Sequence, residues 1–125
     1  VTRRPTFRGL VRSRRAVIPA SGYYEWRHAG DTRAEPYYIH PAEGLLYFAG
    51  LYSWWADPAR PRDDPGRWHL TTTILTRAAV GDIRRLHDRA PVTLPDDLVA
   101  AWVDPRTAGD AAFVAAAVDA ATPVT

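Results

Sequence analysis

The first cluster of residues that could carry out chemistry surrounds Glu25, which lies between Tyr23, Tyr24 and Trp26. Aromatic surroundings disfavour the charged form of a carboxyl group, which suits it to act as a general acid or base near neutral pH. The run is also typical of a strand, in which neighbouring side chains alternate between faces. Glu25 would then point to solvent while its neighbours pack, and on the strand pattern alone this second interpretation is favoured.

The second cluster is the triplet His87-Asp88-Arg89. Histidine can move a proton near neutral pH, and an adjacent aspartate can orient its ring. The arginine offers a forked donor that matches a phosphate group. The alternative is a turn with a surface ion pair, which would contribute little to stability or function.

Other kinds of site find no support in the sequence. The 125 residues contain no cysteine, and the four histidines lack the spacing of metal ligands. No glycine-rich phosphate loop and no serine nucleophile elbow are present. We therefore predict no metal, no cofactor, no nucleotide site, and no thiol or serine nucleophile within the chain.

The pattern of apolar and turn residues predicts an α+β fold dominated by strands. A mainly antiparallel curved sheet or barrel would carry short helices around it. Strands are predicted at residues 16–19, 23–27, 36–40, 45–54, 68–76 and 92–94. Helices are predicted at residues 5–14 and 95–103, as one or two turns within 78–86, and from a cap at Thr107 through Ala121.

Arginine is concentrated at one end of the chain. Residues 1–15 contain six arginines and no acid, whereas residues 92–125 contain one arginine and five aspartates. Such a segment can face a polyanion, although a solvated arginine-rich helix is the more common explanation. No stretch is long and apolar enough to span a bilayer, and no signal peptide is visible. We therefore expect a soluble, cytoplasmic protein, and the richness in arginine and alanine suggests a GC-rich, bacterial genome.

Three segments together resemble one known family. IPASGYYEW, TTTILTRAA and LHDRAPV are similar, in order and spacing, to the P-A-D-G-[YFW]-[YF]-E-W stretch, the T-I-[LV]-T strand and the H-D-R-M-P box of SRAP domains. Ser21 stands where the family usually has aspartate, and Ala90 where it has methionine. The resemblance covers nearly the whole chain. Family members also begin with Met-Cys-Gly-Arg and carry a later Asn-Ala-Arg motif, and neither is found in residues 1–125.

The resemblance implies a single partial SRAP-like domain over residues 1–125, without the N-terminal cysteine segment and a C-terminal closing segment. In the family, the amine and thiol of the N-terminal cysteine capture the aldehyde of an abasic site in single-stranded DNA as a covalent crosslink. The family is also associated with autoproteolytic removal of the initiator methionine. A monomeric, DNA-associated protein without a membrane partner is expected.

The resemblance also implies roles for individual residues. Glu25 would be the acid or base beside the cysteine amine, and His87 would assist opening of the sugar ring and reversal. Contacts to DNA are implied for Trp26, Thr76, Arg89 and Arg3. Because the crosslinking residue is a cysteine, we expect this chain to be inactive in crosslinking. The alternative is a non-covalent single-stranded DNA-binding module of the same fold.

Overall fold

The computed structural model describes residues 5–28 and 33–121 of the chain. Within this part, three α-helices, seven strands and two short 3-10 helices alternate. In chain order they are α1 (Pro5–Ser13), β1 (Arg15–Ala20), β2 (Tyr23–Arg27), β3 (Glu35–Ile39), β4 (Leu46–Ala56), a 3-10 helix (Pro65–Arg67), β5 (Trp68–Ile74), β6 (Thr76–Ala78), a second 3-10 helix (Gly81–Arg85), β7 (Arg89–Pro91), α2 (Asp96–Val103) and α3 (Ala111–Ala120).

The longest strand, β4, is the central strand of the three-stranded sheet. It pairs antiparallel with β1 on one side and with β5 on the other. The backbones of β4 and β5 lie close together at Gly50, where a Cβ atom would lie 2.7 Å from the carbonyl oxygen of Thr73. Any residue larger than glycine would therefore push the backbones of β4 and β5 apart.

The chain changes partner at Leu75, and this change creates the small β6–β7 sheet. The backbone N–H of Leu75 donates to Ala49 of β4, and the N–H of Val92 donates to Leu75. Ala49 in turn donates to Val92, so β4 holds both segments. Beyond Leu75 the chain leaves β4, and β6 pairs antiparallel with β7. This arrangement brings Thr76 beside the residues that follow His87.

The hydrophobic core lies between β4 and the helices. Trp102 of α2 is almost fully buried, its indole N–H donates to the carbonyl of Ala16, and its ring stacks on Phe113. Apolar residues from strands, helices and the segment after β7 complete the core: Val11, Ala49, Leu51, Leu75, Val92, Leu94, Val114, Ala117 and Ala121.

One member of the arginine-rich segment is a core residue. Arg15 is 6% exposed, and its guanidinium group donates five hydrogen bonds to backbone carbonyls. These carbonyls belong to Val11, Arg12, Trp102, Asp104 and Thr107. Arg15 therefore joins the ends of α1 and α2 and does not face a polyanion or solvent, unlike the exposed Arg8, Arg12 and Arg14.

The predicted α+β class is confirmed, and the described strands form three open sheets of three, two and two strands. The predicted start of the last helix at Thr107 is wrong. The helix begins at Ala111, and the carboxylate of Asp110 accepts from the N–H of Phe113 as its cap. Before it, the carbonyl of Thr107 accepts from Arg15 and the N–H of Gly109 donates to Arg12. These contacts hold residues 107–109 against α1, outside a helix.

Two predicted strands also differ from the observed elements. The strand predicted at 68–76 is divided into β5 and β6, because the chain changes partner at Leu75. The strand predicted at 92–94 is reduced to an isolated bridge between Thr93 and Phe48, while the regular pairing lies earlier, in β7.

Candidate nucleic-acid interface

The β6–β7 sheet joins Thr76 to Arg89, which are thirteen residues apart in the sequence. One guanidinium nitrogen of Arg89 donates to the carbonyl of Thr76 at 2.9 Å and to its hydroxyl at 3.0 Å. Both bonds use Nη2, so the other N–H groups of the guanidinium remain for a ligand. Both side chains are exposed and line a groove of about 670 Å³ that also includes Arg77. A hydroxyl and a positioned guanidinium form a suitable contact for a phosphate group.

The backbone of the same turn orients the ring of His87. Its Nδ1 lies 3.0 Å from the backbone nitrogen of Arg89, whose N–H can only donate. This bond assigns the proton of the neutral ring to Nε2. The carbonyl oxygen of Arg89 also lies 3.2 Å from Nδ1, but that contact needs the other tautomer. We prefer the first assignment because the contact is shorter and its donor is fixed.

The surroundings of His87 leave it available to a ligand. Its side chain is 46% exposed, and Asp88 Oδ1 lies 3.4 Å from Nδ1. Asp88 itself is 91% exposed, so the pair is screened by water and its charge interaction is weak.

Glu25 lies on the β2–β3 hairpin, on the face that packs toward β4. Its neighbour on that face, Tyr23, makes an edge-to-face contact with Phe48, with ring centroids 5.8 Å apart. Burial raises the pKa of Tyr23, and the negative charge of Glu25 raises it further. Glu25 is half-buried and therefore does not point freely to solvent, contrary to the interpretation that the strand pattern alone favoured.

The opposite face of the hairpin carries Trp26, which is 49% exposed. It belongs to a row of rings that the separate motifs did not reveal. Centroid distances are 6.3 Å from Trp26 to Tyr24, 5.0 Å from Tyr24 to Tyr38, and 5.3 Å from Tyr38 to His40. We call these four residues the aromatic row. The alternation of residues in YYEW and in PYYIH is the sequence signal for each half of the row. The pairing of Tyr24 with Tyr38, which the sequence does not reveal, joins the two halves.

The candidate residues thus form two groups. Thr76, His87 and Arg89 are held together by β6 and β7, whereas Glu25 and Trp26 lie on opposite faces of β2. Among the described residues, no hydrogen bond or ion pair joins Glu25 to His87. Arg3 lies outside the described residues.

Within residues 5–28 and 33–121, no group of three His, Cys, Asp or Glu side chains could hold a metal ion. In the same part of the chain, no helix is long and apolar enough to cross a membrane.

Comparison with known proteins gives a family for this arrangement. Residues 1–123 match the family model "SOS response associated peptidase (SRAP)". The chain belongs to the SRAP family. It is 33% identical over 107 residues to the abasic site processing protein YoqW of Bacillus subtilis (strain 168), covering 85% of this chain and 45% of that protein. It is 31% identical over 115 residues to the abasic site processing protein HMCES of Gallus gallus, covering 76% and 32%.

A solved structure supports the same SRAP assignment. A protein from Bacteroides thetaiotaomicron superimposes with a TM-score of 0.77 at 28% identity, over 94% of this chain and 49% of that one. The chain spans about half the length of YoqW and of this structure, or less. The helices and antiparallel strands described above are therefore shared with this solved structure.

Proposed function

We propose that this chain binds single-stranded DNA at abasic sites and supplies residues for their processing. The observation that carries the proposal is the bonding of Arg89 to Thr76 beside the oriented ring of His87. An abasic site lacks a base but keeps its sugar and phosphate. A guanidinium and a hydroxyl beside a histidine therefore offer contacts for what remains at such a site.

Individual residues would divide the work of binding. Arg89 and Thr76 would contact a phosphate next to the lesion, and Arg3 would contribute a further charge contact. Trp26 would stack on a base at the edge of the site. The relatives are named as abasic site processing proteins, which supports DNA as the ligand. We further propose that the protein acts in the cytoplasm, as a monomer, in association with DNA.

For a protein of this family that carries the N-terminal cysteine, the proposed chemical step is capture of the open, aldehyde form of the sugar. The amine of an N-terminal cysteine attacks the aldehyde carbon and water leaves. The thiol of the same cysteine then attacks the imine carbon to close a ring, and the thiol proton passes to the nitrogen. Glu25 would take the proton from the amine and return one to the departing oxygen. His87 would assist opening of the sugar ring and reversal. Glu25 would also take part in autoproteolytic removal of an initiator methionine ahead of that cysteine.

The sequence of this chain favours a second candidate for what it can do alone. The 125 residues contain no cysteine, so they hold no thiol that could close the ring. We propose that the chain by itself binds single-stranded DNA without forming a covalent bond. The two functions differ in one observable, which is the survival of the complex under denaturing conditions.

Binding and covalent capture are tested on the purified chain with a labelled single-stranded oligonucleotide that contains one abasic site. We expect a rise in fluorescence anisotropy and no shifted band on a denaturing gel. Arg89→Ala should weaken binding by about tenfold, the effect of losing one charged contact. Arg106→Ala is the matched control, because Arg106 is already bonded to Asp104. A shifted band would contradict the non-covalent function, and absence of binding would contradict the proposal as a whole.

The roles of Glu25 and His87 are tested on the product translated from the complete source gene. Intact mass spectrometry after incubation with abasic single-stranded DNA should show an adduct. Glu25→Gln should slow its formation by about a hundredfold, within the usual contribution of acid–base catalysis, and His87→Ala should slow capture or reversal. If both variants react at the rate of the unmodified protein, these two assignments are wrong.

A further inference from the structure

Apart from Trp26, the aromatic row is an exposed surface that the proposed function does not use. Tyr24 is 61% exposed and Tyr38 is 46% exposed, and His40 is exposed as well. The rings form one uninterrupted sequence from Trp26 through Tyr24 and Tyr38 to His40. Large exposed rings are usually scattered, so a continuous line of four indicates a contact surface.

The row is fixed in place by its own hairpin. Tyr38 lies across Gly22, where a Cβ atom would come within 2.6 Å of its ring. The hydroxyl of Tyr38 also forms a hydrogen bond of 3.2 Å with the hydroxyl of Ser21. The missing side chain at Gly22 therefore creates the space in which this ring lies flat. Because the ring of Tyr38 is already held, stacking of a ligand on this ring costs the protein little conformational entropy.

The distribution of charge on the hairpin suits an anionic ligand. Direct pairing of Tyr24 with Tyr38 and of Trp26 with Pro36 defines the face of the row. Glu25 and Glu35 lie on the other face, opposite Tyr37 and Arg27. Within the paired residues 23–27 and 35–39, the carboxylates thus lie on the face away from the row of rings. No member of the row is aliphatic, which distinguishes it from the exposed β5 strand with Leu70 and Ile74.

One end of the row lines a cleft that also borders the segment before His87. Tyr38 and His40 line a cleft of about 430 Å³ whose far wall is formed by Asp82, Ile83 and Leu86. Leu86 directly precedes His87. Asp82 is the one carboxylate lining this cleft, and Arg85 lies 4.0 Å from it. The row therefore ends at a cleft whose wall includes the residue before His87.

We propose that the aromatic row binds the unpaired bases that flank the abasic site by stacking, without preference for their sequence. This inference rests on the proposed function only in taking single-stranded DNA as the ligand. Aromatic rings accept every base because each base presents a π-face, whereas the phosphate contact at Arg89 carries no information about the bases. The row would allow the protein to hold a strand on either side of a lesion whatever its sequence.

The test compares two labelled oligonucleotides of equal length by fluorescence anisotropy. One is a thymidine homopolymer, and the other consists of tetrahydrofuran nucleotides, which keep sugar and phosphate but carry no base. Tyr24→Ala and Tyr38→Ala should each weaken binding to the first by about tenfold, the loss expected for one stacked base. Binding to the second should be unchanged. Tyr24→Phe, which keeps the ring, should bind both as the unmodified chain does.

Matched variants separate this inference from the proposed function. Tyr37→Ala removes a ring from the opposite face of β3 and should leave both affinities unchanged, whereas Arg89→Ala should weaken both. If the Tyr24 and Tyr38 variants bind the homopolymer normally while Arg89→Ala binds weakly, the aromatic row is not a base-binding surface and the proposed function stands. If the unmodified chain binds neither oligonucleotide, both fail. If the tyrosine variants instead change the sedimentation of the DNA-free chain, the row is a protein contact and the inference is overturned.

Discussion

Arg15 shows how one residue of a charged run can serve the core. Its guanidinium group has five N–H donors, and each donates to a backbone carbonyl. The charge also lies 4.7 Å from the centroid of Phe113, so the group is stacked as well as bonded. Burial lowers the pKa of Arg15, while the charge of Asp104 opposes this shift. The guanidinium remains protonated near neutral pH because its pKa is so high at the outset.

Replacing Arg15 by lysine keeps the charge but provides at most three donors. At least two of the five hydrogen bonds are then lost, and we expect the free energy of unfolding to fall by roughly 3 kcal/mol. Urea denaturation followed by tryptophan fluorescence measures this loss. Arg12→Lys is the control, because Arg12 is exposed, and it should change stability by less than about 0.5 kcal/mol. Equal losses in the two variants would show that the five bonds of Arg15 are not stabilising.

Tyr23 should make the stability of the fold sensitive to alkaline pH. Burial, and then the charge of Glu25, raise the pKa of Tyr23 above its ordinary value of 10.0. At a pH between 10.0 and the raised pKa of the folded state, the unfolded chain has released the Tyr23 proton while the folded chain retains it. The contribution of Tyr23 to the free energy of unfolding is therefore fully present below pH 10.0 and is lost as the pH rises through the folded-state pKa.

This sign predicts the behaviour of Tyr23→Phe, which has no proton to lose. Urea denaturation at about pH 8 and about pH 11 should show a smaller loss of stability in Tyr23→Phe than in the unmodified chain. Tyr24→Phe removes a hydroxyl from the exposed face of the same strand and serves as the control. A pH dependence identical in all three proteins would mean that Tyr23 ionises alike in the folded and unfolded states.

At the scale of the elements, β5 is the least protected strand of the described fold. Every residue of Trp68–Ile74 is exposed, and the strand pairs with β4 along one edge. It carries no charged residue and no proline, which are the usual means of preventing edge-to-edge association. Trp54 lies opposite Leu70 and extends the apolar surface onto β4. We therefore expect this region to associate at high protein concentration.

A lysine on β5 should suppress that association. Thr72→Lys places a charge in the middle of the strand, and static light scattering at rising concentration should show less association than in the unmodified chain. Ala100→Lys adds the same charge on an exposed position of α2 and should have little effect. If both lysines reduce scattering equally, net charge and not the edge of β5 is responsible.

At the scale of the whole molecule, charge and shape bear on DNA binding together. The net charge is only +2, so a general attraction to a polyanion is weak and specific contacts must supply most of the affinity. The exposed arginines of α1 and the Arg89–Thr76 contact are the candidates for such contacts. Each phosphate contact on a single strand adds about 0.7 to the slope of log affinity against log salt concentration.

Salt titration therefore tests Arg89 within the whole surface. From about 50 mM to about 200 mM salt, affinity for single-stranded DNA should fall, and Arg89→Ala should reduce the slope by about 0.7. Arg106→Ala, at an arginine bonded to Asp104, should leave the slope unchanged. A slope that is the same in the Arg89 variant would mean that this side chain does not contact a phosphate.

The sequence alone determined the type and approximate position of most helices and strands, and which family the chain resembles. Alternation over residues 68–76, apolar spacing in α1, and Pro95 with two aspartates at the start of α2 are local properties. They are readable because a strand or helix repeats over a few neighbouring residues. The three SRAP-like segments were likewise contiguous, so their types and spacing were visible without a fold.

Only the tertiary structure decided which residues meet. Arg15 reads as one more surface arginine until the ends of α1 and α2 surround it. Thr76 and Arg89 read as separate motifs until the change of partner at Leu75 pairs β6 with β7, and Tyr24 meets Tyr38 only through the register of the hairpin. The start of α3 was misplaced for the same reason, since Thr107 bonds to Arg15 far away in the chain. Such contacts depend on strand register and on burial against distant segments, and neither is encoded in the local pattern of the residues involved.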